Sequence, residues 1–188
     1  MDIKMVCLIG PSGSGKTTIA MELCKAPRFM LAKSTTTRDP RGDESDIEYD
    51  FMSTDEFLYK DRHQEFIEST RYNGNWYGLL AGEIERINKL NKIAVRPIDF
   101  HGAIMCKKKY GDACKWFYID RNDADLLDAI MGRKIPAYAK INRISTILAE
   151  KAHAQYCDYI IQNNGTIAQS IEEIAQCVSL YNASHGGI

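Results

Sequence analysis

No two cysteines in this 188-residue chain are spaced C-x-x-C: Cys7, Cys24, Cys106, Cys114, Cys157 and Cys177 are scattered, several of them inside apolar runs. That pattern excludes a thiolate zinc site and a dense disulfide framework, and it predicts reduced, structural thiols. His63, His101, His153 and His185 share no ligand spacing, so a structural zinc centre is not expected. Apolar runs are only a few residues long, too short to span a bilayer. No charge sign is in excess, with 24 Lys and Arg against 25 Asp and Glu. A non-specific nucleic-acid binder normally carries a basic surplus, and nothing here suits an acidic membrane surface. There is no internal repeat and no low-complexity linker. The apolar run that opens the chain leaves no room for a secretory leader, so the expectation is a cytoplasmic protein. These absences leave one domain with a real core and at most small insertions.

What is present is a phosphate-binding pattern. Gly10-Pro11-Ser12-Gly13-Ser14-Gly15-Lys16-Thr17, followed by Thr18, fits G-x-x-x-x-G-K-[ST]. The apolar run Ile3–Ile9 before it predicts a buried strand. The helical spacing of apolar residues over Thr17–Cys24 predicts a helix after it. Glycines let the backbone curl until several N–H groups point into one concavity, and the helix N-terminus adds its positive end. Lys16 supplies a mobile point charge for the β- and γ-phosphates, and Thr17 offers a hydroxyl to Mg²⁺. The loop says that ATP phosphates are held, and it does not name an acceptor.

Further along, Pro27 ends the helix and Phe29–Lys33 predicts a second core strand. Ser34–Asp43 is polar, with a proline and a glycine, and is expected to be a loop. Ile47–Met52 alternates as a half-buried strand does. Ser53 or Thr54 should cap a short helix over Asp55–Leu58. Glu65–Glu68 and Asn75–Gly78 flank Asn73-Gly74, a hairpin signal. Residues 34–82 therefore read as a small strand-rich insertion in a core made of 1–33 and 83–188. After it come a helix over Gly82–Leu90, a strand over Ile93–Asp99 in which Pro97 is awkward, and a short helix over Gly102–Tyr110. Then come a strand over Lys115–Asp120 and a helix over Asp123–Met131. Beyond the Pro- and Arg-bearing segment Arg133–Arg143, a long helix is expected to about Tyr156. The strand Tyr159–Gln162, a helix over Ile167–Tyr181 and a frayed tail complete the chain. Strands alternating with helices after a phosphate loop imply an α/β fold of the P-loop NTPase kind, a parallel sheet covered on both faces.

Within the insertion, Arg38 and Arg41 sit three apart, with Tyr49 and Tyr77 in flanking strands. Two guanidinium forks and two phenols suit a small dianion such as a monophosphate. A solvated basic loop beside core tyrosines accounts for the same residues equally well.

The motifs resemble those of guanylate kinases over essentially the whole chain. G-P-S-G-x-G-K-[ST]-[TS] is met at Gly10–Thr18, and T-T-R-x-P-R at Thr36–Arg41. D-Y-x-F is met by Glu48-Tyr49-Asp50-Phe51, E-F-[IL]-E by Glu65–Glu68, and G-N-x-Y-G by Gly74–Gly78. A late G-R followed by an arginine about ten residues on is met by Gly132-Arg133 and Arg143. The resemblance implies that Arg38, Arg41, Tyr49 and Tyr77, with Gly78 beside them, hold the acceptor monophosphate, while Ser34 and Glu68 read guanine and Asp99 lies near the base. A carboxylate such as Glu68 only accepts hydrogen bonds, and guanine offers two adjacent donors, N1–H and N2–H. The resemblance also implies that Arg133 and Arg143, in a lid at about 133–143, close over ATP, and that Asn163 lies near adenine. Mg²⁺ is the implied cofactor, ATP with GMP or dGMP the substrates, and a monomer or homodimer the assembly. Three positions depart from the pattern. Leu79 stands where a Ser or Thr able to donate to guanine O6 is common, Pro97 replaces the first acid of D-x-D, and Lys134–Lys140 lacks acids. A kinase of a deoxy or modified nucleotide or of a ribose bisphosphate, and a non-catalytic module of the same fold, are the competing readings.

Overall fold

The phosphate-loop strand is the middle of the larger of two sheets. The computed structural model describes residues 2–40, 42, 47–72 and 74–185. β1 (Met5–Ile9) is the centre of a five-stranded, all-parallel sheet. Its order is β2 (Phe29–Leu31), β7 (Ile93–Pro97), β1, β8 (Cys114–Asp120), β9 (Tyr159–Gln162). Every residue of β1 is buried, because helices cover both faces and the strand must be apolar on each. Alternation divides it. Met5, Cys7 and Ile9 pack with Ile84 and Ile87 of α3 (Ala81–Lys89) and with Ala103 and Cys106 of α4 (Phe100–Tyr110). Val6 and Leu8 pack with Ile19 and Leu23 of α1 (Lys16–Leu23) and with Ile174 and Val178 of α8 (Ile167–His185).

Pro97 ends β7 at a place that spares it. The N–H groups of Ala94 and Ile98 point to β1, donating to Lys4 and Leu8 carbonyls. The missing donor of Pro97 therefore faces β2, whose last paired residue, Leu31, lies opposite Val95.

Residues 34–80 carry a separate four-stranded sheet in the order β4 (Tyr49–Phe51), β3 (Ser34–Thr36), β6 (Asn75–Leu80), β5 (Phe66–Tyr72). The expected loop from Ser34 is thus corrected: it opens as an inner strand, with Ser34, Thr35 and Thr36 all buried. Thr36 donates its hydroxyl to the Trp76 carbonyl at 2.9 Å, which lets this residue sit inside a sheet although the composition of the run reads as loop. The strand expected from Ile47 begins only at Tyr49 and runs parallel to β3. Ser53 caps α2 (Thr54–Arg62), its Oγ accepting from the Glu56 N–H at 3.2 Å. Phe57 of α2 stacks on Phe66, with ring centroids 4.3 Å apart. β5 and β6 form the expected hairpin, although Asn73 at its turn lies outside the described residues.

α5 (Asp123–Met131) starts at Asn122, as a good cap residue should. The single long helix expected toward Tyr156 is three pieces: α6 (Ala137–Ser145), α7 (Ile147–Lys151) and a 3₁₀ turn over Ala152–Tyr156. Ser145 and Thr146 return their hydroxyls to the Asn142 and Arg143 carbonyls, competing with the backbone ladder where the helix breaks. α8 continues to His185, past the expected end at Tyr181, with the Tyr181 and His185 rings stacked at 4.2 Å. No helix among the described residues is long and apolar enough to cross a membrane.

Candidate active site

The phosphate loop caps the carboxyl end of β1, where an open α/β sheet presents its crevice. A cleft of about 690 Å³ lies over it, lined by Gly10, Ser12, Gly13 and Gly15–Thr18 and by Asp99, Arg121, Arg133, Arg143, Glu150 and His153. Pro11 and Ser14 are buried beneath, and Thr18 is exposed at the first turn of α1. Gly15 sits at φ 94°, in the left-handed region, where an added Cβ would lie 2.6 Å from Nδ2 of Asn163. Asn163 underlies the loop with its side chain fully engaged. Nδ2 donates to the Ser14 carbonyl at 2.8 Å, and Oδ1 accepts from Ser170 Oγ at 3.2 Å.

Lys16 Nζ donates to the Gly10 and Pro11 carbonyls at 2.6 and 2.9 Å. Burial pulls its pKa down to about 8; Glu150 and Asp99 oppose the shift, and Arg133 and Arg143 add to it. Burial, and then Arg143, lowers Arg133 as well. Lys16, Arg133 and Arg143 gathered in one cleft form a site matched to a polyanion. Ser12 joins α6 and α7 to the loop: its N–H donates to Glu150 Oε2 at 3.2 Å, and its Oγ accepts from Arg143 Nη1 at 2.8 Å. Arg121 Nη1 braces the Gly13 carbonyl at 3.0 Å.

The second group of expected residues lies on the smaller sheet. Tyr49 and Tyr77 meet edge to face with centroids 6.0 Å apart. The Arg38 guanidinium lies 5.1 Å from the Tyr49 ring centroid and 5.2 Å from that of Phe51. Arg38 Nη1 also donates to the Asp39 carbonyl at 2.8 Å. Arg41 lies outside the described residues. Gly78 has no room for a side chain: a Cβ would lie 2.7 Å from the Phe66 ring and 2.9 Å from the Glu68 carbonyl. A bulge between Phe66 and Glu68 re-aims the Glu68 side chain. Burial raises the Glu68 pKa; Arg96 and His101 counter the rise, and Asp99 adds to it. Asp99 caps α4, with Oδ1 accepting from the Gly102 N–H at 2.8 Å. Its charge acts on both Lys16 and Glu68, which puts it between the two groups. Ser34 accepts a hydrogen bond from Arg96. Leu79 is fully buried in the core with Ile67, Ile84 and Ile98, so its side chain faces packing and no ligand.

Glu150, Arg121 and Arg96 were missed from the sequence. Glu150 follows Arg143 by seven residues, a same-face helical spacing that held the signal. Arg121 directly follows the carboxyl end of β8, the expected position for a ligand-facing residue. Arg96 carries no signal, because a lone arginine in a predicted core strand resembles a snorkelling side chain.

A family model described as guanylate kinase matches residues 2–181. A guanylate kinase of Fusobacterium nucleatum is 31% identical over 157 residues, 82% of this chain and 85% of the relative. One of Helicobacter pylori is 32% identical over 165 residues, 86% of this chain and 80% of the relative. The crystal structure of guanylate kinase from Anaplasma phagocytophilum superposes with a TM-score of 0.69 at 20% identity, covering 96% of this chain and 86% of that one, which supports the fold. The cationic cleft over the loop and this family match agree: the chain belongs to the guanylate kinase family and is an ATP-dependent nucleoside monophosphate kinase.

Proposed function

We propose that the chain transfers the γ-phosphoryl group of ATP to GMP or dGMP, giving the diphosphate. The observation that carries this reading is the pairing of an intact Lys16 loop with a separate sheet that gathers Arg38, Tyr49, Tyr77 and Glu68. In this reading the core is 1–33 and 83–188, the acceptor-binding insertion is 34–82 and the lid is 133–143. The break between the two sheets supports that division. The loop from Gly10 to Thr18 holds the ATP phosphates, with Asn163 keeping its floor in place. Arg38, Arg41, Tyr49 and Tyr77 hold the acceptor phosphate beside Gly78, Ser34 and Glu68 read the base, and Asp99 lies between the two substrates.

The donor set fits Mg²⁺. No cluster of three or more His, Cys, Asp or Glu side chains suited to a metal ion occurs among the described residues. Mg²⁺ in kinases is held by few protein groups together with water and substrate phosphates. Thr17, half-buried at the cleft, is the hydroxyl that would hold it, and the ion would neutralise charge between the β- and γ-phosphates.

The acceptor oxygen is already ionised, so no general base is needed. The protein's work is to hold two mutually repelling anions in line and to neutralise the charge that accumulates between them. Lys16, Arg133 and Arg143 do this from the donor side and Arg38 and Arg41 from the acceptor side. Closure of insertion and lid excludes water, which would otherwise accept the phosphoryl group. We place the protein in the cytoplasm, acting as a monomer or homodimer without nucleic-acid or membrane partners.

The test is a coupled ATP-consumption assay over ribo- and deoxynucleoside monophosphates. GMP or dGMP is expected to give the highest kcat/KM. Turnover of a non-guanine acceptor alone would overturn the reading.

A further inference from the structure

A guanidinium lies buried at the seam between the two sheets. Arg96, on β7, is 8% exposed, and its charge is permanent. Its hydrogen bonds go to neutral oxygens: Nη1 donates to the Ala32 carbonyl at 3.1 Å and Nη2 to Ser34 Oγ. Nε has no partner at all. Burying a cation with no carboxylate among its hydrogen-bond partners is costly. A simple strut between β7 and the chain leading into β3 needs no charge, so the guanidinium calls for another reason.

Its surroundings supply one. The charge of Arg96 acts on Glu48, Tyr49 and Glu68, in each case opposing a pKa rise that burial causes. Two of these three belong to the acceptor site described above. Hydrogen-bond polarity adds the decisive constraint. A guanidinium only donates, so Ser34 Oγ accepts from it and must direct its own proton elsewhere. No group among the described residues takes that proton, whereas Ser34 is 3% exposed. Arg96 therefore acts on two groups of opposite polarity: the Ser34 hydroxyl, left with a proton to donate, and the Glu68 carboxylate, which accepts. A purine edge with an oxygen at position 6 next to N–H donors at positions 1 and 2 is the complement of that pair. A purine with an amino group at position 6 would point a donor at a donor.

We propose that Arg96 is a specificity-determining positioning residue: it fixes the Ser34 hydroxyl as a donor and supplies the positive field that selects a 6-oxo purine, in a chain whose Leu79 is packed into the core and cannot donate. The proposal rests on the reading of Ser34 and Glu68 as the base-reading pair.

The test compares kcat/KM for GMP, 6-thio-GMP and IMP. The sulfur of 6-thio-GMP is a poor acceptor while its N–H donors are kept; IMP keeps the oxygen and lacks the 2-amino group. The Arg96→Leu variant is expected to reduce the preference for GMP over 6-thio-GMP by about tenfold, leaving the GMP-to-IMP ratio, which reports on Glu68, unchanged. Ser34→Ala should collapse the same ratio, and the double variant should collapse it no further. If Arg96→Leu does not fold, Ser34→Ala and Arg96→Lys carry the comparison, the lysine variant falling between wild type and Ser34→Ala. Equal losses on GMP and 6-thio-GMP would make Arg96 a strut and overturn the proposal while leaving the proposed function intact. A wild-type protein inactive on GMP would overturn the function itself, and the role of Arg96 with it.

Discussion

The phosphate loop and the smaller sheet differ in what surrounds their charged side chains. At the loop, backbone groups have side-chain partners: the Gly10 and Pro11 carbonyls take Lys16, the Ser12 N–H takes Glu150, the Ser14 carbonyl takes Asn163 and the Gly13 carbonyl takes Arg121. On the smaller sheet, side chains meet side chains: the Arg38 guanidinium lies against the Tyr49 and Phe51 rings, Arg96 donates to Ser34, and burial lifts the Glu68 carboxyl. The loop is a backbone shape that side chains brace, and in the proposed function it is the donor half. The smaller sheet, the proposed acceptor half, holds a set of side chains in a low-dielectric setting, where small changes in partner carry large electrostatic weight.

That contrast can be broken at its strongest point first. Lys16→Ala should lower kcat about 10³-fold with any acceptor while the protein keeps its melting temperature, since the lysine's hydrogen bonds go only to its own loop. Retained kcat would show that backbone shape alone suffices. Arg38→Ala should raise the acceptor KM about 10- to 100-fold and leave the ATP KM nearly unchanged, consistent with loss of a charge-assisted hydrogen bond. Equal movement of both constants would mean that the halves are not separable. Gly78→Ala should lower stability by about 1–3 kcal/mol in denaturant unfolding, because its methyl group would collide with Phe66 and the Glu68 carbonyl. The smallest effect is on pH. In the proposed function the protonated form of Lys16 binds phosphate; with its pKa brought down to about 8, the ATP KM should be flat below that pH and rise above it. Because the Glu150 carboxylate raises the Lys16 pKa, Glu150→Gln should move this rise to lower pH. Initial rates at subsaturating ATP from pH 6.5 to 9.5, in roughly half-unit steps, would check both.

The contrast also explains what was legible in the sequence. The donor half was read from one contiguous motif, because a curled loop between a buried strand and a helix needs glycines at fixed offsets. Core strands such as β1 and β8 were equally plain, being apolar on both faces. β3 was not, since its three hydroxyl residues are buried in a sheet, with Thr36 donating to the Trp76 carbonyl, and composition cannot tell that from solvation by water. The break between α6 and α7 was missed because Ser145 and Thr146 act through hydrogen bonds to preceding carbonyls, which apolar periodicity does not register. Arg96 was invisible for a third reason: its meaning comes from Ser34, 62 residues away in sequence.

The scattered cysteines have a use of their own. Hydrogen bonding to Cys106 and Cys114, together with burial, pushes the Cys7 thiol up, and burial takes Cys24 and Cys157 to about 12 and raises Cys177. Cys106 and Cys114 are fully buried. At neutral pH a thiol with a pKa near 12 is ionised in about one molecule in 10⁵, and ionisation limits alkylation. The native chain is therefore a quiet chemical background. Cysteines introduced by Lys134→Cys in the segment 133–143 and Thr70→Cys on β5, both exposed positions, would be the fast-reacting thiols. A dye pair attached there would test the proposed closure: a change in their separation during turnover is expected, and none would count against it.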